Sequence, residues 1–331
     1  MRSLKALAAT LGTAAALLLT TLSSPTPAAA DSVPVTTTQA LRFVSYNMCG
    51  NMCKEGQGPT GYSNAARIDS IVAEANSTGW KADQIFLQEV CQDQYTELST
   101  KLAPLGFNGR FTAALTGRGD ACAGDPYGNA LFVKGAIIQT KTLDLTQGST
   151  ETEPIRVPCV KSDLRGRLTW ACSVHLFWGH PDGTNPERDA EAADLRWQVE
   201  AWERAGIPVI LGGDFNGFPS DTFMDGFYSP AAGGNSHGVF TEADQSDTGT
   251  NPNDIPNSVL QCPAGSLECR SGEPTFYSLG KVDVQGDEYW CKIDYLFFST
   301  RHFKDVVGDS LPVDTEVSDH RLLRGAANWA S

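Results

Sequence analysis

Residues 208–221 read PVILGGDFNGFPSD. An apolar run ends in two glycines, and Asp214 and Asn216 follow two positions apart. Side chains alternate between faces along a strand, so these two point the same way. A buried carboxylate without a partner is costly. Asp214 therefore needs either its own loop, as an Asx turn feeding Gly217, or a ligand shared with Asn216. The same placement recurs along the chain. Asn47 closes LRFVSYNM, and Gln88 and Glu89 close DQIFLQEV. Tyr127, Gly128 and Asn129 open a further apolar run, and His175 lies in LTWACSVHLF. Asp294 lies in KIDYLFF, and Ser318-Asp319-His320 precedes the last apolar segment.

The chemistry open to these residues is narrow. Glu89, Asp214 and Asp319, with Asn47 and Asn216, are hard oxygen donors suited to Mg²⁺, with Mn²⁺ or Ca²⁺ as alternatives. Carboxamides hold phosphate oxygens without adding negative charge. His320 has a side chain that titrates near neutral pH and can take a proton from water. Asp294 can orient that imidazole, and His175 and Tyr127 can stabilise charge developing at phosphorus. Together they describe metal-assisted hydrolysis of a phosphate ester, with water as the direct nucleophile. Each residue also has a plain structural use. Asn47 can cap a strand, Glu89 can favour the positive end of a following helix, and His175 can be a satisfied core histidine. Asp319 can cap a helix. His180, His237 and His302 fit no motif.

Rigid elements must hold these groups. Alternation predicts strands over 41–48, 83–90, 129–137, 140–146, 155–161, 168–177, 208–216, 291–299 and 303–310, and a last one in 320–328. Helical spacing appears over 63–79, with Gly79 as a stop, over 92–103 and most strongly over 187–206. In the last, Ala190, Ala193, Leu195, Trp197, Val199 and Trp202 read as one packed face. Trp197 and Trp202 are accordingly assigned to packing, and Trp178, which follows His175 closely, is either an ordinary surface or packing residue or a neighbour of the substrate. Residues 229–272 are rich in Gly, Asn, Asp, Ser and Pro and read as long loops. No repeat and no linker separates two cores, so 41–331 forms one α/β domain with two sheets packed together and helices outside.

The N-terminus has Arg2 and Lys5, then a Leu/Ala run, then Ala28-Ala29-Ala30. This pattern predicts a secretory signal peptide over 1–30 and a flexible extension over 31–40. The formal net charge of the full chain is −14, and loss of the leader makes it two units more negative, since Arg2 and Lys5 go with it. Such a surface repels phosphate polymers at long range but does not bar an enzyme that recruits a cation to the phosphate. Arg118, Lys134, Arg165 and Arg167 are the candidates for tracking phosphates. Nine cysteines in a secreted chain imply disulfides, and no C-x-x-C pair or His cluster argues for metal instead. The expected pairs are Cys49–Cys53, Cys91–Cys122, Cys159–Cys172 and Cys262–Cys269, which leaves Cys291 over. No protein partner is evident, and a monomer is expected.

The ordered set N, QE, YGN, H, GDFN, ID, SDH resembles the endonuclease/exonuclease/phosphatase superfamily over roughly 41–327. The resemblance implies a four-layer α/β/β/α sandwich, two mostly antiparallel sheets facing each other, with the site at one end. It implies Glu89 as the main metal ligand, helped by Asn47 and Asp319. It places Asp214 and Asn216 on the nucleophilic water and the phosphate, Asp294 with His320 as the base, and His175 on the phosphate. Tyr127 and Asn129 fall beside the scissile group. Among substrates, a nucleic acid ranks first. A sphingomyelin-like lipid and an inositol phosphate or similar small molecule are the alternatives. A catalytically dead binding protein of the same fold is disfavoured by the intact residue set.

Overall fold

The computed structural model describes residues 33–50, 52–53, 62–76, 78–119, 121–147, 152–179, 185–245, 270, 272–282, 288–311 and 317–331. The expected leader, His180 and the Cys262–Cys269 pair lie outside these residues. The first sheet has six strands in the order β13 (Phe303–Ser310), β14 (Leu323–Trp329), β1 (Leu41–Asn47), β2 (Gln84–Cys91), β4 (Tyr127–Lys134) and β3 (Phe107–Leu115). The second has β5 (Ile137–Asp144), β6 (Arg156–Leu164), β7 (Arg167–His175), β8 (Val209–Asp214), β12 (Asp294–Ser299) and β9 (Phe240–Glu242). A separate hairpin pairs β10 (Phe276–Val282) with β11 (Glu288–Cys291). Pairing is antiparallel throughout these sheets except for β1 with β2 and β7 with β8.

Alternation along the strands sorts three apolar layers. Phe43, Phe86, Ala171, Ile210, Leu296 and Phe298 point inward and join the sheets face to face. Val44, Ile85, Leu87 and Phe132 point outward, onto α1 (Asn64–Ala75) and α2 (Gln92–Leu102) through Ile68, Ile71, Leu98 and Leu102. Cys172, Val174, Val209 and Leu211 point outward on the other sheet, onto Leu195 and Val199 of α3 (Pro186–Arg204). The expected four-layer α/β/β/α sandwich is therefore the observed one. Both helix-bearing faces bury long apolar side chains, which is the main driving force for stacking the layers.

Several local expectations need correction. The 291–299 run is split, because β11 ends at Cys291 and β12 begins at Asp294. Strands β3, β9 and β10 lie outside the expected ranges; β3 is half-exposed and lacks a clean alternation. In α3 the buried residues are Arg188, Glu191, Ala192, Leu195, Val199 and Glu203. Three charged side chains on that face blurred its apolar pattern. Trp197, assigned to packing, is 71% exposed, whereas Trp202 stacks on Trp170 with ring centroids 4.2 Å apart. The three expected disulfides within the described residues are present: Cys49–Cys53, Cys91–Cys122 and Cys159–Cys172. The last joins directly opposed residues of β6 and β7.

The two glycines of PVILGGDFN have separate steric reasons. Gly213 has φ 150°, and a Cβ there would lie 1.9 Å from the Val174 carbonyl oxygen. At Gly212 the space is taken by the other sheet: a Cβ would lie 2.5 Å from the Phe86 ring. The substitution Gly212→Ala should push the sheets apart and lower stability by about 1–3 kcal/mol. Urea unfolding should show this as a lower midpoint at unchanged slope.

Candidate active site

At one end of the sandwich the inward-facing positions change from apolar to polar. Ser45 and Asn47 on β1, Gln88 on β2, and Ser173 and His175 on β7 continue the rows that Phe43, Phe86 and Ala171 begin. Gln88 Nε2 donates to Ser173 Oγ at 2.9 Å, and Ser173 Oγ donates to the Leu87 carbonyl at 2.9 Å, tying the two sheets together. Register then places the reactive groups. His175 is paired with Asp214, and Asp214 with Asp294, so three strands set these side chains in one row.

Asp214 is 2% exposed, and each of its carboxylate oxygens has its own partners. Its Oδ1 accepts from the Asn216 backbone N–H at 2.8 Å, which is the Asx turn. Its Oδ2 faces the site, where Asn47 Nδ2 donates to it at 3.1 Å. His320 Nε2 lies 3.7 Å from the same oxygen and His175 Nε2 lies 3.9 Å from it. Asn216 takes a left-handed conformation, φ 51°, which asparagine tolerates. Its Nδ2 donates to the Leu176 carbonyl at 2.9 Å, so it pins the turn to the end of β7.

Glu89 reaches the site through a bulge. The β2–β4 register shifts between Leu87 and Val90, and Glu89 itself has φ 54°. Simple alternation would send its side chain outward, opposite to Gln88. The bulge re-aims it, and Asn47 Nδ2 donates to its Oε1 at 3.0 Å. Such backbone strain is held only where the surroundings determine it. Here the Gly50 N–H donates to the Glu89 carbonyl at 2.8 Å.

His320 Nδ1 contacts Asp294 Oδ2 at 2.8 Å. Burial alone would lower the pKa of this imidazole, but the charge and hydrogen bond of Asp294, with Asp214 and Asp319 beyond, push it up to about 10. Asp214 is raised to about 6, first by burial and then by the charge of Asp294, with the two histidines opposing. Burial lowers His175. Glu89 is raised by burial and by the charge of Asp319, and the Tyr127 hydroxyl bonds to it. Tyr127 is held well above its ordinary value by burial and the carboxylates around it.

Two like-charged carboxylates, Glu89 and Asp319, thus act on each other beside a carboxamide, Asn47. These hard oxygen donors fit a divalent cation, whose charge would offset both the burial and the repulsion that raise Glu89. Asp319 comes from the segment before β14, where Ser318 Oγ donates to the Asn47 carbonyl at 2.9 Å.

Not every expected residue joins this cluster. Asn129 is buried beside Tyr127 on β4, but its Nδ2 donates to the Arg156 carbonyl at 3.2 Å. Lys134 ends β4 at the far side from Tyr127, and Arg165 and Arg167 flank the start of β7, far from His175. Arg165 bonds Asp83 at 2.9 Å and Arg167 lies over Trp329, so none of the three tracks phosphate at this site. Arg118 lies on the site side and acts on Glu153, a carboxylate the sequence reading missed. Burial and the charge of Glu89 raise Glu153 to about 7. It lies in a loop with no apolar run to announce it. Ser173 was detectable, since it shares the face of His175 two residues on. Trp178, three residues past His175, is 67% exposed at the rim.

The chain belongs to the Endonuclease/Exonuclease/phosphatase family, whose sequence model matches residues 44–320. Members of this family are hydrolytic, metal-dependent phosphoesterases, and the chain is an enzyme of that class. No curated protein matches its sequence. Solved structures share the fold at low identity. The human Nocturnin catalytic domain, solved with a bound sulfate anion, is 20% identical with TM-score 0.59, covering 88% of this chain and 94% of that one. The Bacteroides thetaiotaomicron mannosyl-6-phosphatase is 17% identical with TM-score 0.56, covering 87% and 99%. Truncated Caenorhabditis elegans TDP2 is 15% identical with TM-score 0.56, covering 87% and 97%.

The arrangement makes the His320 cation dependent on Asp294. In Asp294→Asn the imidazole loses its main counter-charge, so its pKa should fall from about 10 toward the ordinary value of about 6.5. An NMR titration of the His320 ring in metal-free protein reads this directly.

Proposed function

We propose that the chain is a secreted phosphodiesterase that hydrolyses nucleic acid by direct attack of water, assisted by a divalent cation. The observation that carries this reading is the Asp214 carboxylate held between two imidazoles, His320 at 3.7 Å and His175 at 3.9 Å, with Asp294 behind His320. A phosphodiester needs a base for water and positive charge for the phosphate oxygens and the departing oxygen. By residue type and the family resemblance, His320 is the expected base. The charges favour the reverse: His320, raised to about 10, is protonated at neutral pH, and Asp214, raised to about 6, is the group poised to take a proton. Asp214 Oδ2 therefore receives the proton of the attacking water as the new P–O bond forms and the ester P–O bond breaks, and the departing oxygen takes a proton from the His320 imidazolium, which Asp214 can then restore. The His320 imidazolium, held by Asp294, stabilises the phosphate charge from one side. His175, kept neutral by burial, donates a hydrogen bond from the other. Asn47 orients Asp214 and Glu89 together.

Glu89, Asp319 and Asn47 would hold Mg²⁺, or Mn²⁺ or Ca²⁺ in its place. When bound, the cation supplies charge neutralisation at a phosphate oxygen. Three disulfides support an oxidising compartment, as a secreted chain would meet. The pair of histidines favours a diester over a monoester, since both flanks of the phosphate receive a donor.

Purified mature protein with Mg²⁺ should nick plasmid DNA or cleave RNA and lose this activity with EDTA. Asp214→Asn and Glu89→Ala should each lower kcat/KM by about 10²–10⁴-fold. Sphingomyelin, inositol phosphates and mannose 6-phosphate complete the panel, and turnover of lipid or monoester alone would sink the nuclease assignment. The rate should rise with pH through about 6, as Asp214 loses its proton and becomes able to act as the base. A pH–rate profile with no break in that region would remove Asp214 from that role.

A further inference from the structure

The Asp294–His320 contact joins two pieces of chain that are distant in sequence. Asp294 is the first residue of β12. His320 lies in the segment that precedes β14. Their 2.8 Å contact depends on both pieces being set to within a fraction of an ångström. A third piece of chain, Thr275 with Phe276 and Tyr277, touches both.

Thr275 is fully buried. Its Oγ1 accepts from the backbone N–H of Ile293 at 3.1 Å and of Asp294 itself at 2.9 Å. A hydroxyl oxygen has two lone pairs and here uses them on adjacent amides, so it fixes the turn from which the Asp294 side chain leaves. The Thr275 N–H donates to the Cys291 carbonyl at 2.9 Å, on the other side of the same turn. The backbone then grips the histidine. The Arg321 N–H donates to the Thr275 carbonyl at 2.6 Å, and the Tyr277 N–H donates to the Asp319 carbonyl at 2.9 Å. These two bonds bracket His320, one residue on each side. The Phe276 ring covers the imidazole, with centroids 4.9 Å apart and planes at 59°.

We propose that Thr275 is a positioning residue that sets the Asp294–His320 pair for the reaction. It touches neither water nor phosphate and acts through Asp294. The inference rests on reading that pair as part of the reacting site. An aliphatic side chain of the same shape would fill the space while leaving the Ile293 and Asp294 N–H groups without their acceptor. The carboxylate would then lose its fixed origin, and the imidazole its alignment.

The test compares Thr275→Val, Thr275→Ser and Asp294→Asn, using bis(4-nitrophenyl) phosphate and whichever nucleic acid the wild type cleaves, at saturating Mg²⁺. Thr275→Val should lower kcat by about 10- to 100-fold, the scale of a small misplacement of reacting groups. Its KM and its Mg²⁺ half-saturation should stay within about twofold, since substrate and metal contacts are untouched. Thr275→Ser keeps the oxygen and should recover most of the loss. Circular dichroism reports the folded fraction, to which every rate is normalised. If Thr275→Val does not fold, Thr275→Ala carries the same expectation, since it too lacks the hydroxyl that holds the two amides. Wild-type kcat in the folded Val or Ala variant overturns the proposal, as does a Ser variant no better than Val. Wild-type turnover in Asp294→Asn would instead overturn the reading of the pair, and this proposal with it. An inactive Asp294→Asn beside a fully active Thr275→Val would overturn this proposal alone.

Discussion

The site is organised around one constraint, a buried carboxylate that must stay ionisable. Asp214 is 2% exposed at the end of β8, and charge in such a place has to be met from close by. One oxygen is met by its own turn through the Asn216 N–H. The other is met by three side chains from three different elements: Asn47 from β1, His175 from β7 and His320 from the segment before β14. None of these contacts is local in sequence. They exist because the two sheets face each other and stop being apolar at the same level.

The opposite wall of the site is built by constraint as well. Glu89 would point outward if β2 kept its alternation, and the bulge at Glu89 turns it back. Neighbouring chain holds that turn. Arg67, on α1 and fully buried, donates from Nε to the Val317 carbonyl at 2.8 Å and from Nη2 to the Cys53 carbonyl at 2.9 Å. It thereby joins the Cys49–Cys53 loop, which bonds the Glu89 carbonyl through Gly50, to the segment that carries Asp319. A buried guanidinium with planar, fixed donors is suited to clamping two carbonyls at once.

Much of this was legible from residue order. Asn47, Glu89, His175 and Asp214 stood out as polar residues at or near the ends of apolar runs, whereas Asp294, Asp319 and His320 were marked by the joint order of the set and the family it resembles. Three kinds of feature were not legible. Residues that reach the site from loops, such as Glu153, have no periodic context. Residues that hold others, such as Thr275 and Arg67, look like ordinary polar positions until their partners are known. Charge assignment was the third. The sequence shows that His320 and Asp214 are titratable, but only their spacing shows that Asp294 keeps the imidazole charged while burial raises the carboxylate. The misread face of α3 has a related cause, since Arg188, Glu191 and Glu203 are buried where an apolar stripe was expected.

The location of the site follows from connectivity. Among the named strands, each sheet contains one parallel pair, β1 with β2 and β7 with β8. Each pair is joined through a helix, α1 in one case and α3 in the other. Parallel strands end together, so each unit delivers two adjacent C-terminal ends to one edge of its sheet. The first unit delivers Asn47 and Glu89, and the second delivers His175 and Asp214. Facing sheets bring the two edges together, and the antiparallel neighbour β12 adds Asp294 at its start because it runs the opposite way. A chain of net charge −14 has little long-range attraction for a phosphate. Affinity and rate must therefore come from charge held locally, and this end of the sandwich is where the fold gathers both imidazoles and the oxygen donors for a cation.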